Sequence, residues 1–322
     1  GNPQSALSTI RGGPWGCRMM GSVKVFIGAV PDDAIAADGK APPPTLTLSI
    51  VEGLTGIAAA STLADQAGIP QEMAPLFGLW FVSDLGSRYC FHDDTNVATE
   101  QAHLPKGNFV FTKRTFRAPE EAPMLKCESA LAVLFADCEA KVESCHISPT
   151  DEELDKLDDM SNPEFLAKRQ YVELAQQVAD YATVKARQCT VLPGDAENPI
   201  EKAGLSAGPA DVYVGFHGMS VTLTATGKPV LLKFRMIRRW TRVTGLVPPF
   251  KVAKFGVEYC VGEGTFVWVY LETDEAALLE GSMARIAPLL MSDLNPEWPA
   301  LKSDPKRRGG GKHDNLAFFS PF

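Results

Sequence analysis

The sequence predicts an α+β protein of three lobes, two made of strands with a helical lobe between them. Three observations predict it. Apolar residues alternate with period two across residues 22–117 and again across 205–292. Residues 118–192 contain no glycine and are dominated by helix formers. A helical apolar stripe, Leu279, Met283, Ile286 and Leu290, closes the second strand-rich segment. The 322 residues are enough for two or three domains of ordinary size, and 45% hydrophobic with 22% charged residues is the balance of a globular chain.

The first lobe opens with SVKVFIGAV, an alternating strand, and after the insert DDAIAADGKAPPP a second strand follows, TLTLSIVEG. Ile57, Ala60, Leu63, Ala64 and Ala67 then fall at helical spacing, ended by Gly68. FGLWFVSD, SRYCFHDD and NFVFTKRTF read as three further short strands. Two strands, a helix, then more strands is the order of a ubiquitin-like β-grasp.

In the helical segment, Ser161-Asn162-Pro163-Glu164 is a helix start, with a capping side chain and proline in the first turn. Tyr171, Leu174, Ala175, Val178, Tyr181 and Ala182 form one apolar stripe behind it. Residues 211–270 return to strand alternation, with turns at Thr224–Lys228 and Gly262–Gly264. Many strands capped by one C-terminal helix is the pattern of a PH/PTB-type barrel. Pro288 lies inside that helix and predicts a kink or an early end. Residues 1–21, without period, read as a disordered or expression-derived leader. Residues 293–322 read as a flexible tether that ends in an Asn-x-x-Phe motif.

Charge and motifs exclude several function classes. Between 120 and 159 there are 12 acidic residues and 3 lysines, so the net charge of -8 is concentrated there and the remainder is nearly neutral. A basic, nucleic-acid-binding protein is not expected. No run of apolar residues is long enough to span a bilayer, and residues 1–20 lack a signal-peptide core, so the chain reads as cytoplasmic. The 7 cysteines (Cys17, Cys90, Cys127, Cys138, Cys145, Cys189 and Cys260) contain no CxxC pair and read as free thiols. No phosphate-binding glycine loop or nucleophile elbow is present, and the five histidines are dispersed. The cluster Asp151, Glu152, Glu153, Asp155, Asp158 and Asp159 lacks the glycine and alternation of a calcium loop and reads as a solvated helix start. The expectation is a non-enzyme without cofactor or metal.

Binding chemistry is better represented. Lys233, Arg235, Ile237 and Arg239 alternate with Phe234, Met236, Arg238 and Trp240, giving a strand with two unlike faces. An edge strand beside a helix can take in a peptide as an added strand: main-chain hydrogen bonds give affinity and side-chain pockets give selectivity. A tryptophan in this position is more often part of the core, and composition favours that reading of Trp240.

Several segments carry a family resemblance. MSNPEFLAKRQYVELAQQVADYATVKARQC, FRMIRRWTRV and FVWVYLETDEAALLEGSMARIAPLL, with the layout around LFGLWFVSD and the terminal HDNLAFFSPF, resemble the FERM-like module of the PX-FERM sorting nexins, the group of sorting nexin seventeen, over about residues 22–292. The resemblance implies a ubiquitin-like lobe at 22–117, a helical lobe at 118–192, a PTB-like lobe at 205–292 and a flexible tail at 293–322. It implies a cargo adaptor that binds NPxY or NxxY/F signals in receptor tails at the endosomal surface. Trp240 would flank the peptide strand with Arg238 and Met236, while Leu278, Leu279 and Met283 line the pocket for the ligand aromatic. Asn315, Phe318 and Phe319 in the tail would engage the retriever/Commander assembly, or fold back onto the PTB-like lobe as an NxxF ligand in cis. Residues 1–21 are too short for the family's PX domain, so phosphoinositide binding is not carried over from it. The alternative is a FERM-type linker to cytoskeleton or membrane, in which Arg235, Arg239, Lys306, Arg307 and Arg308 make a weak phosphoinositide contact.

Overall fold

The computed structural model describes residues 19–30, 44–84, 88–115, 117–160, 165–178, 180–243, 253–262 and 264–294. Residues 1–18, residues 31–43 of the insert and the tail motif lie outside them; residues 19–21, expected to belong to a disordered leader, instead begin the first strand, where Met19 and Gly21 pair with Val51 and Ile50.

The first sheet has five strands: β1 (Met19–Ile27), β2 (Thr45–Val51), β3 (Phe77–Ser83), β4 (Arg88–Cys90) and β5 (Gly107–Lys113). Their spatial order is β2-β1-β5-β3-β4, and β1 and β5 run parallel at its centre while the other pairs are antiparallel. Helix α1 (Gly56–Gln66) crosses one face, capped by the Thr55 hydroxyl and terminated where Gly68 takes φ 69°. Its inner side is Ala59, Ala60, Leu63 and Ala64; Ile57 is left exposed. A short α2 (Val97–Gln101) and a 3-10 turn at Gln71–Leu76 complete the β-grasp.

Four helices follow: α3 (Ala118–Glu121), α4 (Glu128–Glu143), α5 (Asp151–Met160) and α6 (Phe165–Ala175). The acidic cluster opens α5. There Glu153 accepts from the Thr150 N–H at 2.8 Å while its own N–H donates to the Thr150 hydroxyl at 3.4 Å, a reciprocal cap that occupies the carboxylate without a metal. Helical and first-sheet side chains share one continuous core, from Val25 through Phe111 and Leu134 to Tyr181. The first two lobes are therefore one packed body.

The segment 118–192, expected to be helical throughout, ends instead in a strand, β6 (Val184–Val191). Its helix-forming Lys185, Ala186, Arg187 and Gln188 are overridden by pairing with two neighbouring strands, and Gln188 takes up the irregularity at φ 51°. β6 is the centre of a seven-stranded antiparallel sheet with β7 (Gly208–Gly215), β8 (Gly218–Leu223), β9 (Pro229–Lys233), β10 (Ile237–Val243), β11 (Ala253–Gly262) and β12 (Thr265–Thr273). The order is β10-β11-β12-β6-β7-β8-β9, so the end strands β9 and β10 stay unpaired with one another and the expected barrel is open. Helix α7 (Ala276–Leu294) packs on this sheet and completes a separate core with Phe234, Trp240, Phe255, Leu279, Met283 and Ile286. Pro288 does not end α7 early.

Candidate functional site

The site begins at the corner between β9 and β10. Strict alternation would put Phe234, Met236, Arg238 and Trp240 on one face. Instead, Phe234–Met236 form a 3-10 turn and the β10–β11 register slips between Ile237 and Arg239. The buried residues become Phe234, Ile237 and Trp240, with Met236 and Arg238 at intermediate exposure. A turn plus a bulge resets the period, which the sequence pattern could not show.

The bulge is held by one carboxylate. Glu258 on β11, 4% exposed, receives the Arg238 Nε at 2.7 Å and lies 2.6 Å from the Arg239 Nε as an ion pair. The Arg238 guanidinium sits 4.2 Å over the Phe266 ring and that of Arg239 5.0 Å over Trp268, which stacks on Tyr270. Beyond the bulge, Arg239 to Val243 pair in register with Glu258 to Lys254 on one side. Among the described residues no strand pairs with the other side of β10. α7 packs against the same strand, and Arg242 on β10 reaches Glu280 on α7 at 3.0 Å.

The other three edge strands are less open. β9 starts with Pro229, the Thr47 carbonyl of β2 accepts from Gln66 Nε2 at 3.0 Å, and β4 has three residues with its Arg88 N–H bonded to the Glu275 carboxylate at 3.1 Å. Among the described residues, β10 offers a longer edge beside α7 than the three-residue β4, which α7 also touches.

The structure brings together some of the expected site residues and removes others from ligand contact. Trp240 is 2% exposed, and Leu278, Leu279 and Met283 are fully buried beneath the helix. Trp240, Leu279 and Met283 share the core between β10 and α7, so the side chains expected to line an open pocket for a ligand aromatic are packed against one another, while Leu278 is buried outside that cluster. Arg238 is committed to Glu258, and Met236 lies in the corner turn. Asn315, Phe318 and Phe319 lie outside the described residues. Sequence reasoning missed Glu258, Arg242 and Glu280. The first had a signal: a carboxylate inside the apolar strand KFGVEYCVG needs a buried cation, and the adjacent Arg238-Arg239 could have been matched to it.

α7 also faces the first lobe. Arg88 pairs with Glu275 at 3.5 Å and donates to the Lys185 carbonyl, and a cleft of about 470 Å³ lies between Leu76, His92, Arg114, Glu120, Arg285 and Leu289. Arg114 is ion-paired there with Asp93. The His92 ring approaches α7 so closely at Gly281 that an added Cβ would lie 3.0 Å from it. Burial lowers the His92 pKa, opposed by Glu280 and Asp94 and reinforced by Arg114 and Arg285. The unfolded chain therefore binds this proton more readily than the folded one, and the stabilising contribution is complete above about pH 6.5 and falls as pH drops below it. The loss of thermal stability between pH 7 and pH 5 is expected to be smaller in His92→Gln than in the parent; equal losses would exclude His92 as a source.

Among the described residues, no group of three or more His, Cys, Asp or Glu side chains could hold a metal ion, and no helix is long and apolar enough to cross a membrane.

Comparison with known proteins gives the fold by shape alone. No family model and no curated sequence matches the chain. The Dictyostelium discoideum myosin VII MyTH4-FERM MF2 domain (mutant 1) superposes with a TM-score of 0.54 at 10% identity, covering 77% of this chain and 59% of that one. The MF1 domain of the same myosin (mutant 2) gives 0.51 at 11% identity, covering 87% and 60%. The Drosophila merlin FERM domain in complex with its C-terminal domain gives 0.50 at 13% identity, covering 86% and 98%. The chain thus spans about three fifths of the myosin chains and nearly all of the merlin chain. Its fold is the three-lobed FERM fold.

Proposed function

We propose that this chain is a non-enzymatic protein-binding adaptor whose third lobe accepts an extended peptide as an added strand on β10. The observation that carries the reading is that β10 lies beside α7 and, among the described residues, has a strand on one side only. Beyond the bulge, Arg239 to Val243 pair with β11 on one side, among the described residues no strand pairs with the other, and Glu258 fixes the bulge. Trp240, Leu279 and Met283 support the groove from below. The ligand class that fits the sequence resemblance is an NPxY or NxxY/F sorting signal from a receptor tail, read at the cytoplasmic face of endosomes. The tail residues Asn315, Phe318 and Phe319 are assigned to retriever/Commander binding within the same proposal. The merlin structure, a FERM domain bound to a C-terminal domain, supports a protein segment as the general class of ligand.

Proline scanning of the edge tests this. Hydrogen bonds alternate along an antiparallel strand, so of Thr241 and Arg242 one N–H serves the β10–β11 ladder and the other points outward. Proline at the ladder position breaks a sheet bond and lowers the melting temperature; at the outward position the lobe stays folded but the edge is closed to a peptide. A labelled NPxY peptide is expected to lose at least about tenfold in affinity for whichever variant melts like the parent, as expected for loss of main-chain pairing. Unchanged affinity in that variant would rule out strand addition at β10.

A further inference from the structure

We propose that the cleft between the first lobe and α7 binds a small monoanion with an apolar body, a monocarboxylate on a hydrocarbon chain, whose carboxylate pairs with Arg285. The site is separate from the β10 edge. At about 470 Å³, and at the junction of two separately packed bodies, the cleft has the size and setting of a small-molecule pocket. Pro75 and Leu76 line it from the first lobe and Ala284, Pro288 and Leu289 from α7, so apolar side chains face each other across it.

The charged groups of the cleft are unevenly matched. Arg114, 6% exposed, is ion-paired with Asp93, and Glu120 is paired with Arg117 at 3.3 Å. The stem of Arg114 lies flat over Gly78, where an added Cβ would run into its Cγ and Cδ, so this guanidinium is fixed. Arg285 differs. Among the described residues no ion pair and no side-chain hydrogen bond engages it, and its Nε is buried without a partner. Burial lowers its pKa and the neighbouring Arg114 charge lowers it further, against Cys90, Asp93 and Glu120. The side chain is only half-buried and lines the cleft, so an anion there can reach it. A guanidinium drawn out of water without a counter-charge is costly, and a planar carboxylate matches its fork of donors. The net charge sets the ligand class. Two arginines line the cleft against Asp93, Asp94 and Glu120, a formal -1. A polyphosphate or inositol phosphate would bring several more negative charges and be repelled, whereas a single carboxylate brings one and meets Arg285. The apolar walls then favour a hydrocarbon body behind it. Because those walls belong to both bodies, the occupant ties α7 to the first lobe.

Octanoate is the probe, with octanamide as its uncharged counterpart and inorganic phosphate as an anion without a body. Binding is measured by calorimetry on the full chain, on Arg285→Gln and on Ala284→Phe, after melting curves show the variants folded. Arg285→Gln removes a cation that has no partner, and Ala284 is exposed on α7, so both variants are expected to fold. The parent should bind octanoate about tenfold more tightly than octanamide, the size of one hydrogen-bonded charge contact, and phosphate more weakly than octanoate. Arg285→Gln should bring octanoate down to the level of octanamide. Ala284→Phe fills the cleft and should weaken both by at least about tenfold, the scale of a lost apolar contact surface. No octanoate binding, equal binding of octanoate and octanamide by the parent, a preference that survives in Arg285→Gln, or unchanged binding in Ala284→Phe would each overturn the site. Phosphate binding as tight as that of octanoate would overturn it too, leaving a plain anion site with no use for the apolar walls. None of these results bears on strand docking at β10, which the proline variants test.

Discussion

Replacing Glu121 by alanine is expected to destabilise the protein by about 3–5 kcal/mol, because it leaves a buried lysine without its counter-charge. Glu121 is fully buried on α3. Its Oε1 accepts from Lys113 Nζ at 2.6 Å and from the Thr115 hydroxyl at 2.7 Å; its Oε2 accepts from the Tyr181 hydroxyl at 2.6 Å and from Gln176 Nε2 at 2.8 Å. Lys113 Nζ also lies 3.9 Å over the Tyr181 ring, and the Tyr181 hydroxyl touches the Cys138 thiol at 3.4 Å. Burial alone would lower the Lys113 pKa, but Glu121, Cys138 and Asp137 hold it above its ordinary value. Burial pushes the Cys138 thiol up to about 12, so it stays protonated as a donor or acceptor in the network.

The expected loss is large because the network joins three parts of the chain: β5 of the first sheet, the short helix α3 and the residues following α6. With the carboxylate gone, four donors lose their acceptor at once. Chemical denaturation of Glu121→Ala measures the loss. The double variant Lys113→Met/Glu121→Leu should recover much of it, since an apolar pair removes the unpaired charge. A Glu121→Ala protein within 1 kcal/mol of the parent, on the order of a single ordinary hydrogen bond, would show that the network is solvated rather than buried.

The second large effect belongs to Trp240. Truncation to alanine is expected to cost about 3–5 kcal/mol by emptying the core under β10 and α7. The indole is nearly inaccessible and shares one core with Phe234, Ile237, Leu279, Met283 and Ile286. The third lobe has its own core, separate from that of the first two, so the loss should appear as an earlier unfolding step of this lobe. Peptide binding should then fall only as far as the lobe unfolds. An Ala variant that melts like the parent but no longer binds peptide would mean that the indole meets ligand directly. Trp240→Asp separates nothing, because a carboxylate forced into this core would unfold the lobe whichever reading holds.

Much of the fold was legible in the chain. Alternation found the strands, and the apolar spacing with Gly68 found α1 and its end. The Leu279, Met283, Ile286 stripe found the closing helix and its buried face. Two strand-rich segments flanking a glycine-free one implied three lobes in the right order. These signals are local: each depends on which side chains recur within a few residues, and the hydrophobic effect enforces that recurrence wherever an element has one buried face.

What the chain could not state was decided by contacts between distant segments. VKARQCTV carries helix-forming residues and becomes the central strand because β7 and β12 offer it hydrogen-bond partners on both sides. Trp240 is sealed in the core, and Met236 and Arg238 are not, because a 3-10 turn and a bulge shift the strand by a fraction of its period; that shift is fixed by Glu258, 20 residues away from Arg238. The last helix comes to lie beside β10, at the end of the second sheet, only through packing between distant segments. Local pattern determines which residues want to be buried; the pairing of remote strands and charges determines which edge remains open to a partner.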